Sequence, residues 1–272
     1  MQRIKEVEGR LFLNLRRGQV TIFVVLAVII VAVAVLVYLL YPSVKSSLQG
    51  AQNPNTFIQT CMEDQLKSAI GLVSLQGGSI APGFYYNYEG NKVEYLCYTN
   101  EYYIPCIVQQ PALIPNIEKE IKADIQATAN SCFDEMKKSY EGKGYSVSLG
   151  NGNTTVELLP QTILTTFNRA LTLTKGSSQT YQRFSISLNN NLYELASIAN
   201  SIISWEATYG DAETTAYMNY YHNLEVEKKK QSDGTTVYIL TDLGSGNKFQ
   251  FASRSMAWAP GYGYNKTVTP TA

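Results

Sequence analysis

Hydrophobic residues follow three different patterns along this chain. From Val20 to Tyr41 they form one apolar run, in which Thr21 is the plainly polar residue and no side chain is charged. A helix of that length covers about 33 Å at 1.5 Å per residue, which matches a bilayer's hydrocarbon core. The pattern predicts one transmembrane helix over 19–41. Arg3, Lys5, Arg10, Arg16 and Arg17 precede it, and Lys45 is the one charge between it and Glu63. The excess of basic residues predicts a cytoplasmic leader, 1–18, and a C-terminal portion outside the cell membrane.

Beyond a polar stalk, 42–55, the pattern takes the period of a helix. Phe57 or Ile58, Cys61 or Met62, Leu66, Ala69 or Ile70, and Val73 form one stripe, with Thr56 as N-cap and Gln76-Gly77-Gly78 as the stop. A second stripe runs through Ile117, Ile121, Ile125, Ala129, Cys132 or Phe133, Met136 and Tyr140, with Lys and Glu on the opposite face. Leu192, Leu195, Ala196, Ala199, Ile202 and Ile203 make a third.

Between these helices the pattern belongs to strands. Phe84–Tyr88 and Val93–Tyr98 flank Glu89-Gly90-Asn91 as a hairpin, and Tyr145–Leu149 and Thr154–Leu159 bracket Gly150-Asn151-Gly152-Asn153 as another. Thr162–Thr174 reads as one β-branched segment. Asn223–Lys230, Thr235–Asp242 and Lys248–Trp258 read as a meander turning at Ser232-Asp233-Gly234 and at 243–247. The expected fold class is α+β: helices packed on antiparallel hairpins and a meander over 56–258, carried on the N-terminal helix. A division into 56–176 and 188–258 is allowed, and 259–272 reads as a flexible tail.

The junction before the apolar run has a definite order, Arg16-Arg17-Gly18-Gln19-Val20-Thr21-Ile22-Phe23. It resembles the class III signal peptide of archaeal type IV pilins and archaellins. That resemblance implies a prepilin-type peptidase cutting between Gly18 and Gln19, and a retained apolar helix that packs into a filament or anchors the protein. Phe23 stands where many pilins carry glutamate. The later order of Cys61, Gln76-Gly77-Gly78, Tyr85-Tyr86 and Cys132 resembles uncharacterised archaeal membrane-anchored surface proteins, which implies no activity.

Composition narrows the function. Taking the leader's five basic and two acidic residues from 22 of each leaves 17 against 20, so there is no electrostatic case for nucleic acid. The four cysteines, Cys61, Cys97, Cys106 and Cys132, have no C-x-x-C spacing; an even number outside the cytosol favours disulfides over zinc. Cys97 and Cys106 are close in sequence, while Cys61 and Cys132 each lie on a helical stripe, so the expected pairs are Cys97–Cys106 and Cys61–Cys132. The sequons at Asn153 and Asn265 are candidate glycosylation sites.

Little in the chain points to catalysis. His222 is the sole histidine and is expected at a surface, no G-x-S-x-G elbow occurs, and no phosphate or dinucleotide loop is present. Glu206, Asp211 and Glu213 form an acidic cluster that suits a solvated helix end better than a glycosidase pair. Seven of 20 tyrosines fall within 84–103. Tyrosine joins a broad apolar face to a polar tip, so Tyr85, Tyr86, Tyr88, Tyr102 and Tyr103 are the candidate binding residues. The expected protein is a non-enzymatic, pilin-like surface subunit for structure or adhesion, with no cofactor or metal. Its expected partners are the membrane, the peptidase, further copies and other pilin-like subunits. The alternatives are a single-pass anchored binding module that does not assemble, and an anchored hydrolase using Asp211 and Glu213.

Overall fold

The computed structural model describes residues 24–32 and 53–257. The chain divides into two units, 1–52 and 53–272. In the first, the described residues 24–32 are helical and are labelled α1. Among the described residues no helix is long and apolar enough to cross a membrane. This corrects two expectations: a domain carried on one long transmembrane helix over 19–41, and single-pass residence in the cell membrane with a cytoplasmic N-terminus.

The second unit is α+β, and its main sheet is mixed rather than purely antiparallel. Helix α2 (Pro54–Leu75) begins earlier than its sequence suggested. Asn53, not Thr56, is the N-cap, its side chain accepting from the Asn55 N–H at 2.9 Å, and Pro54 takes the first turn, where no N–H is needed. Helix α3 (Leu113–Gly142) buries the predicted stripe from Ile117 to Tyr140. The bridge Cys61–Cys132, Cα to Cα 5.9 Å, ties α2 to α3 as expected. Helix α4 (Leu192–Tyr209) buries the third stripe, and a short α5 (Thr215–Tyr220) follows it.

The main sheet has the order β1 (Tyr85–Tyr88), β2 (Asn91–Tyr98), β12 (Lys248–Arg254), β11 (Thr235–Asp242), β10 (Leu224–Lys230), with β3 (Ile107–Val108) also on β2. The meander β10–β12 is antiparallel, but β12 meets β2 in parallel, Ala252 opposite Tyr95. That pairing crosses the boundary at which two subdomains were allowed. One face of the sheet sends Leu96, Tyr238, Leu240, Phe249 and Phe251 into the main core with the helices. The other buries Val93, Tyr95, Val237, Ile239 and Ala252 beneath Tyr86, Tyr88 and Tyr98.

The middle of the chain departs most from expectation. Strands β4 (Ser146–Leu149) and β5 (Thr154–Leu159) do not pair with each other. β5 pairs with β6 (Thr162–Phe167), and β4 pairs with β7 (Leu171–Lys175), so 162–174 is two strands rather than one. The four form one antiparallel ribbon whose tip is at Pro160-Gln161. The segment Gly150–Asn153 is a corner halfway along it, pinned by Gly150 N–H to Ala170 O at 2.8 Å and Asn168 N–H to Asn153 O at 2.9 Å. A Cβ at Gly152 would lie 1.8 Å from the Asn168 carbonyl oxygen, so close backbone approach, not a tight turn, is what requires glycine there. β8 (Ser177–Tyr181) joins β7, and β9 (Phe184–Asn189) joins β6, completing two three-stranded sheets.

Candidate functional site

The tyrosines singled out by the sequence separate into two groups. Tyr85, Tyr86 and Tyr88 lie on β1 and are half-buried. Tyr86 and Tyr88 roof the outer face of the main sheet, and the Lys92 ammonium stands over the Tyr85 ring at 5.0 Å. Tyr86 and Tyr88 serve packing.

Tyr102 and Tyr103 are different. They are 63% and 78% exposed, next to exposed Ile104, and Ile107 on β3 is 70% exposed. All four lie on or beside the loop that Cys97–Cys106 closes. The loop is also fastened to the end of β12: Tyr103 N–H donates to Met256 O at 2.7 Å, Met256 N–H to Ile104 O at 3.2 Å, and Cys106 N–H to Ser255 Oγ at 3.2 Å. Tyr103 has φ 63°, a left-handed conformation that a bulky residue rarely adopts. Such a conformation costs on the order of 1–3 kcal/mol and persists where surrounding structure enforces it. The result is a rigid tip that displays two aromatic rings and two isoleucines to solvent.

A second feature was not legible in the sequence. A cleft of 610 Å³ opens between α4, α5, the start of β10, the end of β11 and the tip at Gln161. Tyr193, Tyr217 and Tyr221 line it, with His222 at the exposed rim, and the Tyr217 hydroxyl meets Ser201 Oγ at 2.7 Å to link α5 to α4. The Glu194 carboxylate also faces it. Its Oε1 accepts from the Gln161 N–H at 2.9 Å, whereas its Oε2 is buried without a hydrogen-bond partner. Only the clustering of Tyr217, Tyr220, Tyr221 and His222 in sequence hinted at this.

The acidic cluster does not converge. Glu206 is 3% exposed and accepts from the Tyr238 hydroxyl, from Ala212 N–H at 2.9 Å and from Ser253 Oγ at 3.0 Å. Burial raises its pKa against those hydrogen bonds. Asp211 is paired with Lys228 and Lys230, and Glu213 accepts from Thr215 N–H at 2.8 Å. Lys228 turns inward to Asp211 and the Ala212 carbonyl. Among the described residues no group of acidic, histidine and cysteine side chains is placed to hold a metal ion.

Asn153 is exposed, and its side-chain oxygen accepts from the Asn168 amide at 3.1 Å. Gly18, Gln19 and Asn265 lie outside the described residues. The chain matches no protein-family model, no curated protein and no solved structure.

Proposed function

We propose that this chain is a non-catalytic, pilin-like structural and adhesion subunit, cut between Gly18 and Gln19 and making its contacts through the Tyr102–Tyr103 tip. The exposed tip carries the proposal. An aromatic pair with isoleucine neighbours, fixed by a disulfide and by backbone bonds, loses little conformational freedom on binding, which is the property that strengthens a contact surface. The two disulfides suit an oxidising compartment. The junction Arg16-Arg17-Gly18 supports processing by a prepilin-type peptidase, and further copies or other pilin-like subunits are the partners this implies. None of this requires a membrane span.

The test is the double variant Tyr102→Ser/Tyr103→Ser. Self-association, measured by sedimentation, and attachment to surfaces should weaken at least about tenfold, as expected when interface aromatics are truncated. The melting curve should stay close to that of the parent. Unchanged association and attachment would overturn the role of the tip.

A further inference from the structure

We propose that the free edge of β8 pairs antiparallel with β8 of a second copy of this chain, joining two three-stranded sheets into one of six strands. The contact is separate from the tip and does not rest on it. β8 ends the sheet order β4-β7-β8. Ser177, Ser178, Gln179 and Thr180 are exposed, and Tyr181 is half-buried. Among the described residues, the β8 backbone makes no hydrogen bond outside its ladder to β7. One row of N–H and C=O groups is thus open to another strand. Other edges are guarded. β10, at the end of the main sheet, carries Glu225, Glu227, Lys229 and Lys230, and β5 has its Leu158 N–H taken by Glu118 of α3 at 2.8 Å. β8 has no charge, no proline and no bulge, the devices that keep edges from pairing.

The sequence of β8 is complementary to itself. Twofold pairing about Gln179 sets Ser178 opposite the second copy's Thr180 and Ser177 opposite its Tyr181, so no like charges meet. β7 and β8 already pair in this way. Thr172 Oγ1 and Thr180 Oγ1 are 3.3 Å apart, and the Thr174 hydroxyl donates to Ser178 Oγ at 3.3 Å. Ser148 and Ser146 of β4 stand opposite Thr172 and Thr174, which continues the same two rows. The twofold pairing carries both rows of hydroxyls across the second copy, through the Thr–Ser pairs that stabilise neighbouring strands. A strand of another protein would use the same backbone groups without continuing the rows. Because the contact is isologous, it closes as a dimer.

Cysteine cross-linking of the full chain tests the assignment. All four native cysteines are bridged, so an introduced cysteine is the one free thiol. A residue on the twofold axis meets its counterpart at about 4.5–5.5 Å between Cα atoms, within disulfide reach. Residues 177 and 181 lie about 14 Å along the strand from their own counterparts. Under copper-catalysed air oxidation, Gln179→Cys should therefore form a dimer far faster than Ser177→Cys or Tyr181→Cys. A mixture of Ser178→Cys with Thr180→Cys should cross-link faster than either alone. Gln179→Lys sets two like charges on the axis and should weaken self-association in sedimentation by about tenfold or more, with the melting curve close to the parent's. Each measurement is repeated with Tyr102→Ser/Tyr103→Ser, so that failure of the tip and failure of this edge are told apart. Cross-linking no faster at 179 than at 177 and 181, or undiminished self-association of Gln179→Lys in that background, would overturn the proposal.

Discussion

Tyr238 donates its hydroxyl proton to the carboxylate of Glu206, and both side chains are buried between α4 and the main sheet. The same carboxylate takes Ala212 N–H and Ser253 Oγ, so one acidic group satisfies donors from three segments. Glu206→Gln keeps an acceptor for Tyr238 and Ala212, and Ser253 can rotate to accept from the new amide; this variant should fold. Glu206→Ala orphans all three donors and should cost on the order of 2–5 kcal/mol in chemical denaturation.

The pH dependence of stability follows from the same group. Burial raises the folded pKa of Glu206 above its unfolded value. The folded state then holds the proton more tightly, so this contribution is fully present below the unfolded pKa, about 4.3, and is lost as pH rises through the raised folded value. Glu206→Gln should remove that component. Denaturation midpoints of the two proteins, compared at pH 4 and pH 8, should differ in slope, the variant losing less on going to pH 8. Parallel profiles would contradict the raised pKa.

The bridges should differ in worth. Cys61–Cys132 spans 71 residues and Cys97–Cys106 spans 9. In the chain-entropy account these are worth about 4 and about 2–3 kcal/mol. Cys61→Ala/Cys132→Ala should therefore unfold at clearly lower denaturant than Cys97→Ala/Cys106→Ala. The second pair should instead reduce contact through the tip, because it frees the loop that carries Tyr102 and Tyr103.

Much of this fold could be read from periodicity, because a helical stripe reports burial directly. Ile117, Ile121, Ile125, Ala129, Cys132 and Met136 are all buried as their spacing predicts, and Ser232-Asp233-Gly234 turns the meander, with Asp233 accepting from the Thr235 N–H and hydroxyl. Pairing was less legible. Gly150-Asn151-Gly152-Asn153 has the composition of a hairpin turn, but glycine there serves a backbone-to-backbone approach that only the third chain segment, Asn168, reveals. The tyrosine hairpin was legible as apolar and not as roof or tip, since period-2 alternation does not tell which sheet face another element covers. The cleft was not legible because Tyr193, Tyr217, Tyr221 and Glu194 come from elements that meet only in three dimensions.

Gly152→Ala tests the ribbon corner. Its methyl group would sit 1.8 Å from the Asn168 oxygen, so backbone must move and the corner bonds at Gly150 and Asn168 must lengthen. The expected cost is about 1–3 kcal/mol or more. Hydrogen exchange should rise at the amides of Gly150 and Asn168. A β4–β5 hairpin would have no such conflict, so a neutral Gly152→Ala would speak against the corner.

Tyr103→Gly separates strain from contact. Glycine adopts φ 63° without penalty, which offsets the extra freedom it gives the unfolded chain. Stability should stay within about 1 kcal/mol of the parent. Attachment and self-association should fall all the same, because the ring is gone.

The most direct measurement is the mass of the N-terminal peptide of the protein isolated from its native cells. A pilin-like subunit processed at the Arg16-Arg17-Gly18 junction should begin at Gln19, and replacing Gly18 with a large residue should stop the cut. A mature protein that begins at Met1 or Gln2 would contradict the pilin-like assignment.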